Sequence, residues 1–134
     1  SWIGTPYAHY HRCRGAGTDC IQLVAGVAEN LGIIHDVNIP YYSPQWHVNQ
    51  REELLLKSVL SYGCQEKALV DILPGDFILF RFNETEPCSH AAILVDNGKM
   101  VHALIKWERV LCHKFAHRWK NEWAQYCFSY PGVV

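Results

Sequence analysis

Apolar residues early in the chain recur three and four apart, at Ile21, Leu23, Val24, Val27, Ala28 and Leu31, and Gly32 closes the run. This spacing predicts a helix from Asp19 to Leu31. A tyrosine- and proline-rich crossing, IPYYSPQWH, then leads to VNQREELLLKSVLSYG, where Leu54, Leu55, Val59 and Leu60 face a core and the charges face water. A second, surface-docked helix is expected there. After the turn signature LPGD the period changes: DFILFRF, SHAAILVD, KMVHALI, WERVLCH and QYCFSY are short β-branched or aromatic runs separated by turn residues. They predict an antiparallel sheet, with KFAHRWKNEW as a late helix before the last strand. Helices followed by strands give an α+β layout, with the helices packed on one face of the sheet.

Composition narrows the function. The chain has 134 residues, of which 49% are hydrophobic, enough to bury one core, so a single domain over residues 1–134 is expected. Twelve basic and 13 acidic side chains leave a formal charge of −1 without long basic runs, which argues against nucleic acid as a partner. No apolar run is long enough to span a membrane, and the opening residues lack the charged-then-apolar pattern of a secretory signal. Six cysteines, an even number, are compatible with a disulfide framework, but a full set of pairs excludes a free catalytic thiol. Mostly free thiols are expected.

The stretch GAGTDCIQLVAGV puts a thiol where the first helix begins. Thr18 or Asp19 serves as N-cap, which sets Cys20 in the first turn, where the helix dipole and a nearby imidazolium favour a thiolate. The alternative is a cysteine that packs as a small hydrophobe. A partner base decides between them, and HAAILVDNGKMVHA offers His90 and His102 on successive strands. A two-residue turn at Asn97-Gly98 sends the two rings to opposite faces. A three-residue loop, Asp96 to Gly98, sets Ala92 opposite His102 and brings both rings to one face, as diagonal neighbours about 7–8 Å apart by backbone. A shared site needs that loop, with the Cys20 helix packed across the same face.

In this order, GTPY at 4–7, GAGTDC at 15–20, LPGD at 73–76 and HAAILVDNGKMVHA at 90–103, the chain resembles the NlpC family of papain-like cell-wall cysteine peptidases, and especially its phage-associated branch. The resemblance implies a papain-like fold in which Cys20 is the nucleophile, His90 the general base and His102 the polar residue that orients the His90 ring. It also implies that Tyr7 hydrogen-bonds beside the thiol. Asp19 is foremost a cap, with contact to substrate amines as a lesser role. The implied activity is hydrolysis of peptide bonds in peptidoglycan stem peptides, commonly after D-glutamate and before diaminopimelate or lysine, without metal or organic cofactor. The implied partners are peptidoglycan and phage tail proteins. The implied setting is the bacterial cell wall, reached by secretion, in the periplasm or on a virion, by a monomer. Related readings are a papain-like amidase or acyltransferase and a catalytically silent wall-binding or tail domain. This chain departs from the family at Ile21 and Gln22, which follow the cysteine where small residues and glycine are usual; they are expected to crowd the helix–sheet packing or reshape the cleft.

Other signals count for less. His9 with His11, Cys88 with His90, and His113 with His117 lack the accompanying ligands of a zinc site, although the last pair has helical spacing. Trp107, Trp119 and Trp123 are expected to fill core rather than wall a cleft.

Overall fold

The computed structural model describes residues 1–34, 37–39, 42 and 53–132. Most of the IPYYSPQWH crossing and residues 48–52 of the second helical pattern lie outside them. Two short strands, β1 (Arg12–Cys13) and β2 (Gly17–Thr18), form an antiparallel ribbon that delivers the chain into helix α1 (Cys20–Asn30). Helix α2 (Leu54–Ser61) follows, and then β3 (Gln65–Lys67), β4 (Phe77–Phe80), β5 (His90–Val95), β6 (Lys99–Leu104), β7 (Arg109–Lys114) and β8 (Ala124–Ser129). These six make one antiparallel sheet in the order β3-β8-β4-β5-β6-β7.

Helix α1 starts and stops where its chemistry dictates. The Asp19 carboxylate accepts from the Gln22 N–H at 2.8 Å, which satisfies an orphan donor of the first turn. At the other end Gly32 takes φ +71°, so that its N–H reaches Glu29 O and the Ile33 N–H reaches Ala28 O. Leu31, expected on the apolar stripe, is instead 67% exposed, because it forms the cap itself. The first turns are covered on more than one side. Leu23, Ala25 and Ala28 are buried, and a Cβ at Gly26 would lie 2.6 Å from the Trp2 indole, so only glycine lets the N-terminal segment close over the helix. In α2 only Leu55 is buried; Leu54 and Leu60 face solvent and Val59 is half-buried against the core.

Helices α1 and α2 pack on one face of the sheet, as expected, and the other face is covered too. Phe77, Leu79, Ala91, Ile93, Val101, Ala103 and Phe128 pack against α1 and α2. Ile78, Phe80, Ala92, Leu94, Met100 and Cys127 form a second core against Leu69, Ile72 and the segment carrying Phe115, Trp119 and Trp123. Double coverage is why β4 reads FILF, with all four residues buried and no polar alternation. KFAHRWKNEW is not a regular helix: β7 runs through Lys114, and only Trp119–Trp123 makes one π-helical turn. Within LPGD, the buried Asp76 carboxylate accepts from the Leu73 N–H at 2.9 Å and pairs with Lys67 at 2.6 Å, which fastens the entry to β4 onto the edge strand.

Candidate active site

Cys20 is the first residue of α1 and is 8% exposed. Its Sγ lies 3.8 Å from the carbonyl of Ser89, and the N–H groups of Ala91, Ile21 and Cys20 itself point toward the sulfur. The thiol therefore meets the start of β5 on either side of His90. The segment before that strand is held by Glu53 at the head of α2, whose carboxylate accepts from the Cys88 N–H at 2.8 Å.

The loop between β5 and β6 is the three-residue one. Asp96–Gly98 separates Val95 from its partner Lys99, and Asn97 (φ 65°, ψ 29°) and Gly98 (φ 67°) both take the left-handed conformation. Continuing the pairs Leu94 with Met100 and Ile93 with Val101 sets Ala92 opposite His102, and His90 projects from the same face. The two rings touch: His90 Nε2 and His102 Nδ1 are 2.7 Å apart.

One geometric requirement of the shared site, the Cys20 helix packed across the histidine face, is not met. His90 pairs with Phe80, and both belong to the face covered by the C-terminal segment, whereas α1 packs on the face of Ala91 and Ile93. The helix thus does not cross the histidine face. It brings Cys20 to the start of β5 instead, with Sγ 3.8 Å from the carbonyl of Ser89.

The line of rings continues beyond the expected pair. His113 on β7 sits with its Nε2 2.5 Å from His102 Nε2, and its Nδ1 3.2 Å from the carbonyl of Lys114. The Trp119 ring packs against all three imidazoles, with centroids 5.6, 5.0 and 5.8 Å from those of His90, His102 and His113. Sequence spacing pairs His113 with His117 and gives it no role beside His90 and His102. The β6–β7 register supplies the missing signal: Met100 faces His113 and His102 faces Leu111, so His113 shares the His102 face at the diagonal position. Among the described residues no group of three or more His, Cys, Asp or Glu side chains is arranged to hold a metal ion.

Asp19 is 2% exposed and fully engaged. Besides capping α1, its second oxygen accepts from the Tyr10 N–H at 2.8 Å and from the Tyr42 hydroxyl at 2.5 Å, with His9 Nδ1 at 3.9 Å. Tyr7 lies half-buried beside this group. Its backbone bridges Thr18, its N–H donates to Glu108 O, and burial pushes its phenol up. Ile21 turns into the apolar space between α1, α2 and the sheet. Gln22 is buried and accepts from Arg12 Nε at 2.7 Å, while Arg12 also pairs with Glu29 at 2.8 Å. Neither side chain crowds the packing: one fills core, and the other anchors an arginine.

The electrostatics run against the thiolate expected from the helix terminus. Burial pushes the Cys20 thiol up to about 12 and the Asp19 carboxylate adds to this; the three N–H groups lower it but do not prevail. Burial also holds His90 down to about 3, with His113 contributing, and His102 down to about 2. At neutral pH the resting site is therefore a neutral thiol beside neutral imidazoles. All six cysteines stand as free thiols.

Known proteins share this fold. NlpC2 from Trichomonas vaginalis superposes with a TM-score of 0.65 at 20% identity over 96% of this chain and 42% of that one. A protein similar to a lipoprotein of the NLP/P60 family from Staphylococcus aureus gives 0.66 at 16% over 98% of this chain and 38% of its own. The NlpC/p60 domain of the peptidoglycan hydrolase SagA gives 0.59 at 17%, covering 96% of this chain and 89% of that domain. The chain spans about two-fifths of the length of the first two proteins. No curated protein matches the sequence at a significant level. The NlpC/P60 family matches residues 4–128, nearly the whole chain; with the papain-like α+β architecture, this protein belongs to the NlpC/P60 family.

Proposed function

We propose that this chain is a single-domain cysteine endopeptidase that cleaves peptide bonds in peptidoglycan stem peptides, with Cys20 as nucleophile and His90 as general base. The observation that carries the reading is the Cys20 thiol at the head of α1, lodged against the residues flanking His90 while His90 is hydrogen-bonded to His102. Because the resting pair is neutral, attack and proton transfer are coupled. Sγ adds to the scissile carbonyl as its proton passes to His90; the imidazolium then protonates the departing amine as the C–N bond breaks, leaving a thioester. Water, deprotonated by His90, releases the acid and restores the thiol. The N–H groups of Cys20 and Ala91 are donors for the oxyanion.

In this reading His102 orients His90, Tyr7 steadies the thiol region, and Asp19 is structural, its acceptors used by the cap, Tyr10 and Tyr42. Beyond His113 an open groove of about 700 Å³ carries Lys106, Arg109 and the rings of Trp107, Trp119 and Trp123, and none of the described residues that line it is a carboxylate. Such a lining suits stem peptides, which carry free carboxylates. The bond after D-glutamate is the proposed target, and action at the bacterial cell wall, including delivery by a phage tail, is the proposed setting. Purified sacculi incubated with the protein should gain new free amino groups, and Cys20→Ala should abolish the gain; equal release by both proteins would refute the assignment of Cys20.

A further inference from the structure

Three imidazoles stand in line, and the outermost is tied to a group that only accepts. We infer that His113 sets the direction of every hydrogen bond in this line, and through His102 selects the tautomer in which His90 keeps an unprotonated Nδ1; His113 is a positioning residue for the base. The inference rests on His90 acting as base, as proposed above.

The bonds follow in sequence. The Lys114 carbonyl has no proton to give, so His113 Nδ1, 3.2 Å away, carries one. With that proton on Nδ1, His113 accepts at Nε2, and His102 Nε2, at 2.5 Å, donates to it. That leaves His102 Nδ1 with a lone pair, which accepts from His90 Nε2 at 2.7 Å. His90 is left with its lone pair on Nδ1, the form that takes a proton from a thiol. Reversing the first bond reverses all of them and puts a proton on Nδ1.

Two features keep the order from being scrambled. Water donates or accepts as required, but His90 is 5% exposed and His102 is fully buried. Trp119 packs tilted or edge-on against all three rings and covers the line they form. Both inner rings are also held neutral by burial, so neither escapes the constraint by donating from both nitrogens.

The test is the ring nitrogen spectrum of ¹⁵N-histidine-labelled protein at neutral pH, read together with the kinetics of two variants. In the unaltered protein His90 is expected to carry its proton on Nε2 and His113 on Nδ1. His113→Leu removes the anchor; mixed His90 tautomers and a fall in kcat of about tenfold with KM unchanged are expected, less than the roughly 10⁴-fold of a fully wrong tautomer. His113→Gln offers an acceptor to His102 and should restore both spectrum and kcat to within about threefold. A His90 proton on Nδ1 in the unaltered protein overturns the inference, as does a His113→Leu variant with unchanged tautomer and kcat. If the unaltered protein cleaves no peptidoglycan, the endopeptidase reading fails on its own, and the spectrum still decides the direction of the line.

Discussion

Acid should destabilise this protein well above the pH at which carboxylates titrate. In the fold, burial holds His90 down to about 3 and His102 down to about 2, whereas in the unfolded chain each titrates near about 6.5. Between these values the unfolded chain binds the protons and the folded one does not. Stability is therefore complete above about pH 6.5 and is lost progressively as the pH falls toward 3. From pH 7 to pH 5 each histidine removes about 2 kcal/mol, about 4 kcal/mol for the pair, a large part of the roughly 5–15 kcal/mol typical of a domain. Urea unfolding followed by tryptophan fluorescence at pH 7, 6 and 5 measures this directly. The double variant His90→Gln/His102→Gln should be less stable at pH 7 but should lose most of the slope. A flat profile in the unaltered protein, or the same slope in the double variant, would show that these rings are not held neutral by burial.

Four other outcomes follow from the same structure. Gly26→Ala gains about 1 kcal/mol of helix propensity but drives a methyl into the Trp2 ring, at a cost of about 1–3 kcal/mol; urea melts should show net destabilisation that disappears in a Trp2→Ala background. A thiol reagent at pH 7 should modify the exposed Cys13 and Cys112 before the buried Cys20, as read by peptide mass mapping. Asp19→Asn removes the charge that adds to the effect of burial on the Cys20 thiol, so Cys20 should react at lower pH than in the unaltered protein; Asp19→Ala also removes the α1 cap and the acceptor of the Tyr10 N–H and Tyr42 hydroxyl, and should cost about 2–4 kcal/mol in denaturant unfolding.

The hairpin shows how far local rules reach in this chain. Asp96-Asn97-Gly98 contains the residues that tolerate positive φ, and once a three-residue loop is chosen, the strand period places His90 and His102 on one face. The cap and stop of α1 are equally local and equally legible at Asp19 and Gly32. What the sequence hid was non-local. Strand β3, Gln65-Glu66-Lys67, is polar and largely exposed, and only its pairing with β8 marks it as a strand. The second covered face of the sheet depends on Trp119 and Trp123 folding back from beyond β7, which no period announces. The acidity of Cys20 was misjudged because a helix terminus is visible in sequence, whereas enclosure by β5 and the charge of Asp19 are properties of the assembled site. His113 escaped for the same reason: its role depends on a register two strands away from the base.

The most direct test of the central claim is mass spectrometry of defined muropeptides incubated with the protein and with Cys20→Ala. The account predicts that the unaltered protein splits a stem peptide into two fragments whose summed mass exceeds the substrate by one water, with the break at a peptide bond, and that Cys20→Ala leaves the substrate intact. Intact substrate with both proteins, each shown to be folded, would contradict the endopeptidase reading and favour a domain that binds the wall without cutting it.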